Sequence, residues 1–93
     1  MSSAQLKVKG GKLLRLSLEL DRGVVTRARL TGDFFIHPEE GIVPLEKALT
    51  ELPEDTEPEV VRGRLEDVVR EEGLQVIGFE PADLAALFRE AMR

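Results

Sequence analysis

The sequence of 93 residues contains no cysteine, no tryptophan and no tyrosine, and only one histidine. The lack of cysteine excludes disulfide bonds, thiolate zinc sites and cysteine catalysis, and it favours a reducing, cytoplasmic location. No apolar run approaches the roughly 20 residues that a membrane-spanning helix needs, and the first residues lack a signal-peptide pattern. We therefore expect a soluble cytoplasmic protein with no membrane partner.

Positive charge is scarce overall, because 18 acidic residues outnumber 13 basic residues and leave a net charge of -5. This excess of negative charge argues against nucleic-acid binding, which needs a basic surface. The charges are unevenly distributed: residues 1–31 hold seven basic and two acidic residues, whereas residues 32–93 hold six basic and sixteen acidic residues. The first third should therefore present a local basic surface.

Four leucines alternate with polar residues between Leu14 and Leu20, which is typical of a strand with one buried face. A second apolar run begins at Val24, after a turn that contains Gly23. A three-residue loop would keep the apolar residues of both strands on one face, whereas a two-residue loop would mix the faces. We therefore predict a hairpin with a three-residue loop and with Gly23 in the left-handed conformation.

That register places Arg15 opposite Arg29 on the outer face of the hairpin. Like charges directly opposite each other are destabilising unless an anion or a carboxylate lies between them. Glu19, or an acidic side chain from the helical part, is one possible neutralising group. An acidic partner that docks on this face is the other, and the sequence leaves both open.

The stretch from Gly32 to Glu40 joins the predicted strands to an acidic, helical remainder. Gly32 marks a bulge or a close backbone approach, and Phe34 and Phe35 are predicted to be packed. The carboxylate of Asp33 is predicted to accept backbone hydrogen bonds or to pair with a hairpin arginine. The single histidine, His37, is predicted to be a surface or interface residue rather than a metal ligand.

Three helices are predicted after this junction. The first follows one helical turn at Pro38 and starts at Pro44, the second covers Arg62 to Glu72 behind a capping box of Thr56 and Glu59, and the third starts at Pro81. The segment from Gln75 to Phe79 fits either an edge strand or a buried connector. The apolar faces of the three helices are predicted as follows: Leu45, Ala48, Leu49 and Leu52 for the first; Val61, Leu65, Val68 and Val69 for the second; and Leu84, Leu87, Phe88 and Ala91 for the third.

These elements predict an α+β fold in which a small sheet based on an antiparallel β-hairpin is covered on one face by about three helices. The length suits one domain over residues 1–93, with residues 1–5 flexible.

Only one short motif could bind an anion. In Lys9-Gly10-Gly11-Lys12 the paired glycines would let backbone amides approach a phosphate. The spacing is not that of a P-loop and the motif precedes a strand rather than a helix, so the residues alone favour a flexible turn or bulge. No nucleophile has a partner at a suitable spacing, so we predict no catalytic or metal site in the chain alone.

The Lys9-Gly10-Gly11-Lys12-Leu13 stretch, the hairpin with its glycine turn, and the Gly32-Asp33-Phe34-Phe35 junction before His37-Pro38 resemble the accessory, C-terminal domain of lipoate–protein ligases. The chain is most similar to the form that is encoded as a separate small subunit. The resemblance covers nearly the whole sequence.

The resemblance implies an accessory subunit that assists a separate catalytic ligase subunit in forming lipoyl-AMP from lipoate and ATP with Mg. The lipoyl group is then transferred to a lysine of acyl-carrier domains. The resemblance also implies that Gly10, Gly11 and Lys12 face the adenylate. It further implies that structural or interface roles belong to Gly32, Asp33, Phe34, Phe35 and His37. The alternative is a non-catalytic interaction module that binds an acidic partner through its basic hairpin face.

Overall fold

The computed structural model describes residues 2–8, 10 and 12–93. It confirms the predicted α+β class, with one three-stranded antiparallel sheet in the order β1-β2-β3, a separate two-stranded sheet β4-β5, and three helices. The elements in chain order are β1 Ser2–Lys7, β2 Leu13–Asp21, β3 Val24–Gly32, β4 Phe35–His37, a 3₁₀ turn Glu39–Gly41, α1 Ile42–Ala48, α2 Pro58–Glu71, β5 Gln75–Ile77 and α3 Pro81–Ala91.

The core lies between the inner face of the three-stranded sheet and the helices. Leu14, Leu16 and Leu18 on β2 are fully buried, as their alternation with polar residues predicted. Helices α1 and α3 pack on this sheet, and α2 packs on both of them. The buried helical residues include Leu45, Leu49, Val61, Leu65, Leu84, Leu87 and Phe88.

The hairpin between β2 and β3 has a two-residue turn, so the predicted three-residue loop is wrong. Asp21 pairs with Val24, and Arg22 and Gly23 form the turn with positive φ angles of 54° and 78°. A β-bulge then shifts the register between Glu19 and Leu20, which leaves Thr26 as the extra residue. The Thr26 hydroxyl donates a hydrogen bond to the Glu19 carbonyl at 3.1 Å. The bulge therefore restores the alignment of the two apolar faces that a two-residue turn alone would lose.

This register also corrects the predicted pairing of arginines. Arg15 lies opposite Thr31, and Ser17 lies opposite Arg29. Arg27 lies opposite Glu19, whose carboxylate is 4.0 Å from the Arg27 Nε atom. Within β2 and β3 no two arginines are directly opposite, because the two-residue turn and the bulge together shift β3 by two residues relative to the predicted register.

The N-terminal strand β1 was not predicted from the sequence, in which residues 1–5 are expected to be flexible. Ser2 to Lys7 pair with β2 along their whole length, from Ser2 opposite Leu18 to Lys7 opposite Leu13. The alternation is weak here because Ala4 and Leu6 are the only apolar residues on its inward face, where Ser2 also lies. The strand is held by its backbone hydrogen bonds to β2, although its own sequence pattern does not indicate a strand.

The helices confirm the predicted apolar faces but change some boundaries. Helix α1 begins at Ile42 rather than Pro44, directly after the 3₁₀ turn. The predicted cap of α2 is wrong, because the Thr56 hydroxyl donates to the Pro53 carbonyl at 2.6 Å and Glu57 takes the N-cap position. A reciprocal capping box lies instead at the start of α3, between Glu80 and Asp83.

Among the residues that the structure describes, no helix is long and apolar enough to cross a membrane.

Candidate functional site

Two residues of the glycine-lysine motif, Gly10 and Lys12, lie in the connection between β1 and β2, at one end of the three-stranded sheet. Gly10 is exposed with φ +92°, and open space surrounds the position that a Cβ atom would take. Lys12 is exposed, and its carbonyl accepts a hydrogen bond from the Val8 amide at 2.8 Å. Gly11, which the resemblance also places toward the adenylate, lies outside the described residues.

Gly32 brings the end of β3 against the start of β2, beside this motif. Its φ is +148°, and a Cβ atom at this position would overlap the Leu13 carbonyl oxygen and lie 3.0 Å from Leu14 Cα. The next residue, Asp33, donates its backbone N–H to the same Leu13 carbonyl at 2.8 Å. Glycine is therefore required for the close approach that was predicted at this position. The segment that follows leaves the sheet near Lys12.

Phe34 is half-buried and packs edge-on against Phe79, with ring centroids 5.2 Å apart and an interplanar angle of 88°. Gly78 makes this contact possible, since a Cβ atom there would lie 2.9 Å from the Asp33 carbonyl oxygen and 3.0 Å from Phe34 Cα. The predicted packing is thus confirmed for Phe34. The contact holds the start of β4 against the end of β5.

Phe35 is 74% exposed, so its predicted packing is wrong. The reason is the alternation of strand β4, which directs neighbouring side chains to opposite faces. Ile36 points inward and is buried, which leaves Phe35 and His37 on the outer face. Of the three residues of β4, the central residue Ile36 is the one that packs into the core.

The outer face of the β4-β5 sheet forms a mixed apolar and polar surface. Phe35 lies opposite Ile77, and His37 lies opposite Gln75. Ile77 is 56% exposed, so two large apolar side chains lie side by side in solvent. We name this surface the Phe35 patch, and it consists of Phe35, His37, Gln75 and Ile77. Sequence reasoning missed Gln75 and Ile77 because their partners lie about forty positions earlier in the chain, and no local pattern signals such a pairing.

Asp33 does not make the contacts that were predicted for it. Within residues 2–8, 10 and 12–93 its carboxylate forms neither a hydrogen bond nor an ion pair, and the side chain is exposed. Its backbone makes the structural contact instead, through the hydrogen bond to Leu13.

The described part of the chain brings no three histidine or acidic side chains close enough together to hold a metal ion.

Comparison with known proteins places the chain in a lipoylation context. No family model matches the sequence, and no curated protein matches it. A solved structure from Thermoplasma acidophilum does match, with a TM-score of 0.67 and 30% identity over 98% of this chain and 92% of that chain. It belongs to a study of an archaeal lipoylation system, which comprises a bipartite lipoate protein ligase and its E2 lipoyl domain. With this identity over nearly the full length of both, the present chain belongs to the same family as that component of the archaeal lipoylation system.

Proposed function

We propose that this chain is the accessory subunit of a two-component lipoate–protein ligase. In this role it acts with a separate catalytic subunit when lipoate and ATP, with Mg, are converted to lipoyl-AMP. The catalytic subunit then transfers the lipoyl group to a lysine of an acyl-carrier domain. The observation that carries the proposal is the match to the T. acidophilum lipoylation system, which extends over nearly all of both chains.

The extent of that match supports an accessory rather than a catalytic part. The matching chain is about as long as this one, since the alignment covers 98% of one and 92% of the other. A chain of this size forms one small core and leaves little room for sites that hold both lipoate and ATP. A separate, larger subunit would supply those sites.

The end of the molecule that carries Lys12 and the Phe35 patch is the surface we assign to the catalytic subunit. The Phe35 patch offers exposed apolar area, which is the main source of affinity in protein interfaces. Gly32 and Asp33 connect this patch to the strand that follows Lys12, through their contacts with Leu13. Docking of the patch would therefore bring Lys12 and Gly10 toward the bound nucleotide.

Lys12 can then stabilise negative charge that develops on the phosphates during adenylation. Gly10 has no side chain, and the space around it is open, so the backbone of the turn can approach an anion closely.

The first test measures pyrophosphate release from ATP and lipoate by the catalytic subunit, with and without this chain. We expect release to increase when the chain is added. A second reaction starts from preformed lipoyl-AMP, which bypasses adenylation, and its rate of transfer to the acceptor lysine should not depend on the chain. Equal pyrophosphate release in the presence and absence of the chain would refute the proposal.

The substitution Lys12→Ala should lower pyrophosphate release by about tenfold, the effect of losing one favourable charge interaction with the transition state. It should leave the fold unchanged, because Lys12 is exposed. Lys47→Ala, at an exposed position on α1, is the matched control. A Lys12→Ala protein with full activity would remove Lys12 from the site.

A further inference from the structure

The outer face of the three-stranded sheet is exposed, since α1 and α3 pack on the inner face with the buried leucines. Three of its side chains are arginines: Arg15 on β2, and Arg27 and Arg29 on β3, all exposed. Ser17 lies between them on β2. We name these four residues the basic sheet face.

The strand register groups the three arginines around Ser17. Arg29 lies directly opposite Ser17, and Arg15 is its diagonal neighbour, at a typical distance of about 7–8 Å in an antiparallel pair. Arg27 lies two residues from Arg29 on the same side of β3, which corresponds to about 7 Å along a strand. Because Ser17 is small, the three guanidinium groups can converge above it.

The charge of this group is only partly neutralised within the described part of the chain. Glu19 approaches Arg27 at 4.0 Å, in a pair whose side chains are 80% and 50% exposed, so water screens it strongly. Arg15 donates a hydrogen bond from Nε to the neutral Gln5 side chain at 3.2 Å. The ion pairs found among the described residues do not include Arg15 or Arg29. Of the 18 acidic residues in the sequence, Glu19 is the one that lies against this group in the part of the chain that the structure describes.

Two surface depressions meet at Ser17. One, of about 290 Å³, is lined by Ser17, Glu19, Arg27 and Arg29. The other, of about 340 Å³, is lined by Arg15 and Ser17 together with Ser3, Ala4, Gln5 and Leu16. The sheet surface therefore has room for more than one carboxylate between its arginines.

We propose that the basic sheet face is a docking site for an acidic protein surface, separate from the Phe35 patch. Arginine forks bind carboxylates through two parallel hydrogen bonds, which suits aspartate and glutamate side chains. Sites for small anions enclose most of their ligand, whereas this face spreads its charges over two strands in solvent. Several carboxylates held on one protein surface match such a spread of charge better than one small anion.

This inference does not depend on a role in lipoate activation. With two surfaces of different chemistry, on two different sheets, one copy of the chain can contact an apolar partner surface and an acidic one at the same time.

The test uses the isolated chain and a fluorescent peptide of alternating glutamate and glycine as the carboxylate probe, with a glutamine-glycine peptide as the uncharged control. Fluorescence anisotropy should show binding of the glutamate-glycine peptide and no binding of the glutamine-glycine peptide. The triple variant Arg15→Gln, Arg27→Gln, Arg29→Gln should bind it about tenfold more weakly, the sum of three modest ion pairs.

A second triple variant, Arg62→Gln, Arg64→Gln, Arg89→Gln, changes the net charge equally at exposed positions on α2 and α3. It should bind the probe within about twofold of the unmodified chain, since these positions lie outside the basic sheet face. Thermal unfolding followed by circular dichroism verifies that both variants are folded. Amide shifts in an NMR titration should concentrate at Arg15, Ser17, Arg27 and Arg29.

Three results would overturn the proposal. The first is the absence of binding to the glutamate peptide. The second is an equal loss of affinity in both triple variants, which would indicate a response to net charge alone. The third is displacement of the peptide by millimolar inorganic phosphate, but not by chloride at the same ionic strength, which would indicate a small-anion site.

Discussion

Two adjacent phenylalanines at the junction have opposite environments, and this difference separates stability from binding. Phe34 contacts Phe79, whereas Phe35 lies largely in solvent beside Ile77. A side chain that contacts the core contributes to the free energy of unfolding. An exposed aromatic side chain contributes mainly to the free energy of binding, when a partner covers it.

We expect Phe34→Ala to lower the free energy of unfolding by about 2 kcal/mol, through lost packing and the lost aromatic pair. Phe35→Ala should change it by less than about 0.5 kcal/mol but should weaken binding to the catalytic subunit. Chemical denaturation and calorimetric titration measure the two effects. A large loss of stability in Phe35→Ala would contradict the assignment of Phe35 to an interface.

Glycine has a different importance at different positions of this chain. Gly32 combines a positive φ with contacts to the backbone of Leu13 and Leu14, whereas Gly63 lies within α2 with open space around it. Gly32→Ala should therefore destabilise the protein by about 1–3 kcal/mol or more, because both strain and overlap arise. Gly63→Ala should stabilise it by about 0.5–1 kcal/mol. Urea denaturation of both variants tests this, and equal effects would contradict it.

At the scale of elements, α1 and the loop after it protect the outer edge of β3. The Glu46 side chain on α1 accepts a hydrogen bond from the buried Leu30 amide at 2.8 Å. Further along the edge, Val25 exchanges backbone hydrogen bonds with Leu52 and Glu51 at 2.9 and 2.7 Å. These contacts satisfy edge groups that could otherwise pair with another chain.

Glu46→Ala should lower the free energy of unfolding by about 2 kcal/mol, because the Leu30 amide loses a charged acceptor in a partly buried position. Glu46→Gln keeps an oxygen acceptor without the charge, so its effect should be about half as large. Thermal denaturation gives both values. A Glu46→Ala protein as stable as the unmodified chain would show that water replaces this hydrogen bond at no cost.

The hairpin shows how an element can be predicted while its register is not. The alternating leucines of β2 identify both the strand and its buried face, and Gly23 identifies the turn. The bulge at Thr26 has no comparable signal, because a bulge adds one residue wherever the packing of both strands requires it. The predicted loop length was therefore wrong although both strands were correct.

Over the whole molecule, the two exposed surfaces should respond differently to salt. Binding of the catalytic subunit at the apolar Phe35 patch should weaken by less than about threefold between low and physiological ionic strength. Binding of the glutamate peptide at the basic sheet face should weaken by about tenfold over the same range, since its charges are exposed and screened. Titrations at several salt concentrations compare the two. A steep salt dependence for the catalytic subunit would place that contact on the basic sheet face instead.

The candidate site was only partly predictable from the sequence. Gly32 and the close approach of β3 to β2 follow from a glycine within a strand pattern, and Lys12 follows from its motif. The outward direction of Phe35 depends on Ile36 facing the core in a strand of three residues. So short a strand carries too little periodicity to reveal which face is buried.

The sequence alone determined the class of the fold, the buried leucines of β2, the three helical faces, and the glycines that permit tight turns and approaches. These features are local, because each is set by side-chain periodicity or by the conformational freedom of one residue. Only the tertiary structure decided the bulged register, the strand β1, the pairing of Phe35 with Ile77, and the grouping of three arginines around Ser17. These arise from contacts between distant segments, whose geometry depends on the packing of the whole chain.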